Sequence, residues 1–279
     1  MKKLYALAIL LFFIAPLSAG FELRSFKVSL TLNPDGSAHA SEVARLFIDG
    51  NSSIRLYEDS ILFNDLSSWI SRTEIGDLRT HVSRAYVDIV DLRVRPQPVE
   101  KCNNLAETCY ATIILDYDIY PIDADSAGLV ITDTYKPRTT KYSLRSEAFS
   151  FSRSKTDGII LPKGYEIEIA VPEDSKFITF SRVPDNVPDE SSQFRYDSYS
   201  GNNYYLGSVK KFSWSNQTLS QFSLTYEMEQ SLEGEISSFF SDMQSKIFLL
   251  IFSESGIAYI LAAISLILPA IWLHSLEKK

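Results

Sequence analysis

From Gly256 to Leu273 the chain runs for 18 residues without a charge (GIAYILAAISLILPAIWL). At 1.5 Å per residue that is enough to cross about 30 Å of hydrocarbon nearly upright, so a transmembrane helix is expected over 256–273. Trp272 sits where an interfacial aromatic belongs, and the tail 274–279 closes with Lys278 and Lys279. The positive-inside rule places those lysines in the cytoplasm and the rest of the chain outside. The closing charges also argue against a lipid-anchor signal, whose apolar tail normally runs to the chain end.

A second apolar run lies at the other end. Lys2 and Lys3 precede Leu4–Ala15, and Pro16-Leu17-Ser18-Ala19-Gly20 then supplies small residues at alternate positions. This is the pattern of a secretory signal over 1–20, cut after Ala19 or Gly20. Twelve apolar residues are too few for an uncleaved span. The polar middle, 21–229, is expected to be an extracytoplasmic domain of a single-pass, type I membrane protein. Its 22% charged and 13% aromatic content (whole-chain values) is globular. Setting aside Lys2, Lys3, Lys278, Lys279 and Glu277 leaves 23 basic against 34 acidic residues outside, about −11. Such a surface repels phosphate backbones, so nucleic acid is not expected as a partner.

Within the middle the period is two. Phe26, Val28, Leu30 and Leu32 alternate with Lys27, Ser29 and Thr31, the mark of a half-buried strand. Asn33-Pro34-Asp35-Gly36 supplies turn chemistry, and a second strand is expected from Ser37 to Ile48. Further strands are expected over Tyr86–Val94, Tyr110–Tyr120, Leu129–Tyr135, Tyr142–Phe151, Tyr165–Val171, Phe177–Arg182, Tyr204–Trp214 and Leu219–Glu227. Only Asp65–Ser71, behind Asn64 as N-cap, reads as a helix. The expected class is mainly β: an antiparallel β-sandwich, one large or two small with a joint near 123–128. From Leu232 the period changes, and Leu232, Ile236, Phe239, Phe240, Met243, Ile247 and Leu250 recur every three or four residues. An amphipathic juxtamembrane helix is expected over 230–255. Its stripe could pack on the protein's own sheet, on another subunit's helices, or in lipid headgroups.

Cys102 and Cys109 are expected to form one disulfide that closes a loop between two strands. A zinc pair is disfavoured, because zinc needs four ligands and no histidine lies nearby in sequence. His39, on the second strand, and His81, at a strand opening, read as structural residues. Glu166 and Glu168, flanked by Ile167 and Ile169, read as the solvent side of a strand. Asp116, Asp118, Asp123 and Asp125 could hold Ca²⁺ in an irregular site, with a solvated acidic loop as the default. Lys136, Arg138, Lys141, Arg145, Arg153 and Lys155 read as a salt-bridged face or as a patch for an anionic glycan or acidic partner. Asn51-Ser52-Ser53 and Asn216-Gln217-Thr218 are acceptor sequons for glycosylation. No catalytic, cofactor or metal site is expected.

Signal, opening hairpin, β-rich middle and C-terminal span together resemble uncharacterised prokaryotic, archaeal-type, membrane-anchored β-rich surface proteins. The resemblance is architectural and carries no functional residue. The leading expectation is a non-enzymatic surface protein that binds another envelope or membrane protein through the 232–250 stripe, as an accessory subunit or an adhesion module. A membrane-anchored glycan hydrolase and a small-molecule or Ca²⁺ receptor are the alternatives.

Overall fold

The computed structural model describes residues 20–122, 128–136, 138–188, 193–198, 202–229, 236, 240–241, 243–246 and 248. The expected signal up to residue 19, the span 256–273 and the tail 274–279 lie outside them. Among the described residues no helix is long and apolar enough to cross a membrane.

The chain is mainly β. Its opening hairpin joins β1 (Gly20–Leu32) to β2 (Ala38–Asp49), longer at the start than the alternation alone suggests. Gly36, at φ 84, turns the chain. The Asn33 N–H donates to the Ser37 carbonyl at 2.9 Å. The Asp35 carboxylate accepts from the Ser37 amide and hydroxyl, and these two hydrogen bonds lower its pKa. Phe26, Val28, Leu30 and Leu32 all point into the core, at 2% exposure or less.

Two short helices follow, α1 (Asn51–Ser60) and α2 (Leu66–Thr73). The Asp65 carboxylate caps α2 by accepting from the Ser68 amide at 2.7 Å. Asp65 therefore takes the capping position that the sequence suggests for Asn64. The first helix is unannounced, since Gly50 precedes it at φ 84 with no side-chain cap. Tyr57 of α1 and Trp69 of α2 meet at 5.2 Å, both fully buried. Next come β3 (Val87–Pro96), β4 (Glu100–Asn103), β5 (Thr108–Pro121), β6 (Val130–Lys136) and β7 (Thr139–Leu144). The expected strand to Phe151 ends at Leu144, where a 3₁₀ turn, Ser146–Ala148, takes over.

The later elements are β8 (Ile159–Ile160), β9 (Tyr165–Ala170), β10 (Lys176–Phe180), β11 (Phe194–Asp197), β12 (Asn202–Tyr205), β13 (Lys211–Ser215), β14 (Thr218–Leu219) and β15 (Leu224–Glu229). The stretch Tyr204–Trp214 is thus two strands rather than one. A Cβ on Gly207 would collide with the Tyr205 ring, so the chain turns there and its halves join different sheets. Gln221, at φ 49, likewise interrupts the expected Leu219–Glu227 strand.

One sheet runs β13-β9-β1-β2-β5-β3, with β4 also on β5, and a second runs β11-β12-β10-β15-β7-β6; β14 pairs with β8. The first sheet is mixed, because β1 and β9 pair in parallel from Phe26↔Tyr165 to Thr31↔Ala170. That pairing corrects the all-antiparallel expectation. It arises where β1 bulges between Leu23 and Ser25 and Gly164, at φ 89, brings its backbone against Arg24. The Phe26 amide donates to the Gly164 carbonyl at 2.9 Å. Aromatic rings link the two sheets: Phe180 of β10 lies 4.9 Å from Phe212 and 6.3 Å from Trp214 of β13.

One compact unit carries the chain through Tyr135 and from Thr140 to Met228, across the 123–128 joint. A second carries Lys136–Thr139 and the residues from Glu229 onward. A single buried cluster extends from Phe26 to Tyr226.

Gly164→Ala must adopt φ 89 with its Cβ against the Arg24 carbonyl. It is expected to lower stability by about 1–3 kcal/mol in urea unfolding. Gly36→Ala, also at positive φ but with nothing within 4 Å of its Cβ, is expected to cost about 1 kcal/mol.

Candidate functional site

On β2 the even positions face inward: Ala38, Ala40, Glu42, Ala44, Leu46 and Ile48 are all buried. Small alanines on either side leave room for one large polar group, and Glu42 fills it at 0% exposure. Its Oε1 accepts the His81 amide at 2.7 Å and the Tyr117 hydroxyl. Its Oε2 meets His81 Nδ1 at 2.9 Å. Three donors on one carboxylate are what burying it requires. His81 is 1% exposed, with its ring between Phe26 at 4.3 Å and Phe151 at 4.6 Å. It lies on the connection between α2 and β3 and not at the opening of a strand; the neighbouring Val82 makes only an isolated bridge to Phe149.

On its other side, His81 Nε2 stands 3.8 Å from Asp77 Oδ1, an ion-pair distance rather than a hydrogen bond. Asp77 is 43% exposed and accepts the Tyr165 hydroxyl. Burial alone lowers the His81 pKa, but the interactions with the Asp77 and Glu42 carboxylates outweigh it and raise the net value. The His81 imidazolium, with help from the Tyr165 hydroxyl, holds the Asp77 carboxyl well below the usual range against the opposing effect of burial. Burial, with the Glu42 charge, pushes the Tyr117 phenol up. The row Tyr117–Glu42–His81–Asp77–Tyr165 combines acid, base and carboxylate, yet its inner members are sealed from any substrate. It acts as a brace between β2, β5, β9 and the 75–83 connection.

The opposite, solvent face of the large sheet is hollowed beside the β1 bulge. A cleft of about 600 Å³ is lined by Arg24, Ser25, Arg45, Lys101 and Tyr110. Ser25 and Arg45 also line a second hollow of about 310 Å³, bordered by Lys27, Thr112, Gly164 and Glu166. Register explains the grouping, since Ser25, Arg45 and Thr112 form one cross-strand row. Arg24 lies over the Phe47 ring at 4.8 Å, and Phe47 meets Tyr110 edge-on at 5.5 Å. The rim pairs Arg24 with Glu22 at 3.0 Å and Arg45 with Glu100 at 3.1 Å.

Cys102 and Cys109 form the expected disulfide, tying β4 to β5. Lys101 and Tyr110, which directly flank the two cysteines, are thereby held at the cleft. Glu166 and Glu168 lie on the solvent side of β9. Lys27 bridges them at 3.1 and 2.8 Å, and Lys211 reaches Glu168 at 2.6 Å. Burial works against ionisation of Glu168, but the hydrogen bonds from Lys211 and Lys27 prevail and its pKa falls.

His39 is exposed and faces Asp118 at 2.8 Å, while Asp116 pairs with Arg95. Asp123 and Asp125 lie outside the described residues. Among the described residues no three His, Cys, Asp or Glu groups are placed to hold a metal ion. The expected basic patch is divided among separate tasks. Arg145 covers the Tyr86 ring at 5.2 Å, and Arg153 donates to the Ser146, Phe149 and Asp157 carbonyls. Lys141 is half-buried, Arg138 and Lys155 are exposed, and the side chain of Lys136 is outside the description. Asn51 is exposed at the start of α1, but Ser53 of its sequon is buried, its hydroxyl accepting from the Gly20 amide at 2.9 Å. Asn216 is exposed and its side-chain carbonyl accepts from the Gly164 amide at 2.7 Å.

No family model and no curated protein matches the chain. Among solved structures, a candidate protease from Parabacteroides distasonis aligns at 10% identity, over 75% of this chain and 40% of that one, with a TM-score of 0.26. The alignment thus spans well under half of that protein, and a likeness this distant transfers neither fold nor activity.

Glu42→Ala is expected to cost about 3–5 kcal/mol, since it strands a buried imidazolium. Tyr117→Phe is expected to cost about 1.5–3 kcal/mol. The pH dependence follows from the two shifts. His81, raised in the fold, contributes fully below about pH 6.5 and loses its contribution as pH climbs through the folded value. Asp77, lowered in the fold, contributes above about pH 3.9 and loses its contribution as pH falls through the folded value. The resistance of the wild type to urea should therefore fall on the alkaline side of this window, and His81→Phe should remove that slope.

Proposed function

We propose that this chain is a non-enzymatic, single-span surface protein, with its β domain outside the membrane and its C-terminus in the cytoplasm. The domain limits are those read from the sequence: signal 1–20, ectodomain 21–229, juxtamembrane helix 230–255, span 256–273 and tail 274–279. The two sheets stack as a β-sandwich, a reading supported by the Phe180, Phe212 and Trp214 ring contacts between them. The protein binds a second envelope or membrane protein, as an accessory subunit or an adhesion module.

One observation carries the binding reading. Ile236 and Met243, two helical turns apart on the juxtamembrane stripe, are 48% and 39% exposed. Apolar residues repeated at this spacing suit a groove or a partner helix. Leu232, Phe239, Ile247 and Leu250 of the stripe lie outside the described residues. The brace supports the non-enzymatic reading, because its histidine and glutamate are used up inside the fold.

Full-length protein extracted in mild detergent is expected to co-purify and crosslink with a stoichiometric partner. Ile236→Asp with Met243→Asp should abolish that complex. A lone monomer from both preparations would contradict the assignment.

A further inference from the structure

The geometry points to a binding site for a carboxylate-bearing saccharide in the cleft of Arg24, Arg45, Lys101 and Tyr110. The site is independent of the stripe and stands whether or not that helix docks on a subunit.

Charge is the first observation. Three cations line one cleft in a chain of net charge −8. The Arg24–Glu22 and Arg45–Glu100 pairs are roughly half exposed and joined by single contacts of 3.0 and 3.1 Å. Such water-screened pairs are weak, and each guanidinium keeps donors free for a second carboxylate. Lys101 forms no ion pair among the described residues, and its backbone is held at φ 52. A lysine in the left-handed region costs energy that the fold supplies through the adjacent disulfide and the slipped register between Glu100 and Asn103.

The position of the cleft selects the ligand class. Its centre, Arg45, lies on β2, which β1 and β5 flank as ladders on both sides. The β2 backbone is already paired there, so a peptide cannot add itself as a strand at Arg45, a mode that requires an open edge. Recognition falls to side chains: guanidinium and ammonium groups for carboxylates, Ser25, Thr112 and Tyr110 hydroxyls for sugar hydroxyls. The Tyr110 ring gives an apolar border for the C–H face of a pyranose. The 600 and 310 Å³ hollows, which share Ser25 and Arg45, are in the range of small-molecule sites and suit a short oligosaccharide.

The test titrates full-length protein, in micelles of uncharged detergent, with tetragalacturonate, neutral maltotetraose and octa-aspartate, by calorimetry. Tetragalacturonate is expected to bind, more weakly as salt rises, and maltotetraose not to bind. Lys101→Ala and Arg45→Gln should each weaken tetragalacturonate by about tenfold or more, while Lys155→Ala leaves it unchanged. Unfolding midpoints identify a variant that fails to fold; Lys101→Glu then replaces it, with the same loss expected. Absence of tetragalacturonate binding, or affinity indifferent to both substitutions, overturns the site. Octa-aspartate binding as tightly, with the same sensitivity, overturns the saccharide assignment in favour of an acidic peptide.

Discussion

The buried Glu42 carboxylate is the constraint around which the large sheet is arranged. A carboxylate at 0% exposure is tolerable only if its oxygens are filled with donors. Here three donors come from two places far apart in sequence: the Tyr117 hydroxyl on β5, and the backbone and ring of His81 on the α2–β3 connection. Satisfying one charge therefore fixes where a long connection crosses the sheet. Through Asp77 and Tyr165 the same row reaches β9, the strand that pairs in parallel with β1. An apolar residue at this position would bury comfortably, but it would not specify which loop lies above it.

Much of the scaffold was legible from alternation and turn chemistry, because those signals are local. The opening hairpin, the solvent placement of Glu166 and Glu168, and the Cys102–Cys109 bridge each depend on residues within a few positions of one another. Where a long-range contact decides, the sequence is silent. Alternation places Glu42 on the inward phase of β2, a signal that was present, yet its partners are 39 and 75 residues away. The parallel β1–β9 pair likewise depends on Gly164 approaching Arg24 across 140 positions. The first helix lacks a capping side chain, and the break at Gly207 depends on where the Tyr205 ring lies.

The solvent cleft was also hidden, because its members come from β1, β2, β4 and β5 and none belongs to a motif. Of the basic residues that do cluster in sequence, Arg145 is spent on a ring face and Arg153 on loop carbonyls. Basic side chains scattered over separate strands instead converge where a bulge and a disulfide shape the sheet. The molecule thus separates two tasks on one sheet: a charged brace on the inner face gives rigidity, and cations on the outer face remain available to a ligand.

Glu42 holds the 75–83 connection as firmly as the sheet itself. Native-state hydrogen exchange of the His81 amide, which donates to the Glu42 carboxylate, tests it most directly. Protection equal to that of Val28 and Leu30 in β1 is expected, with exchange only through global unfolding. Exchange at the rate of an open loop, while β1 stays protected, would contradict it.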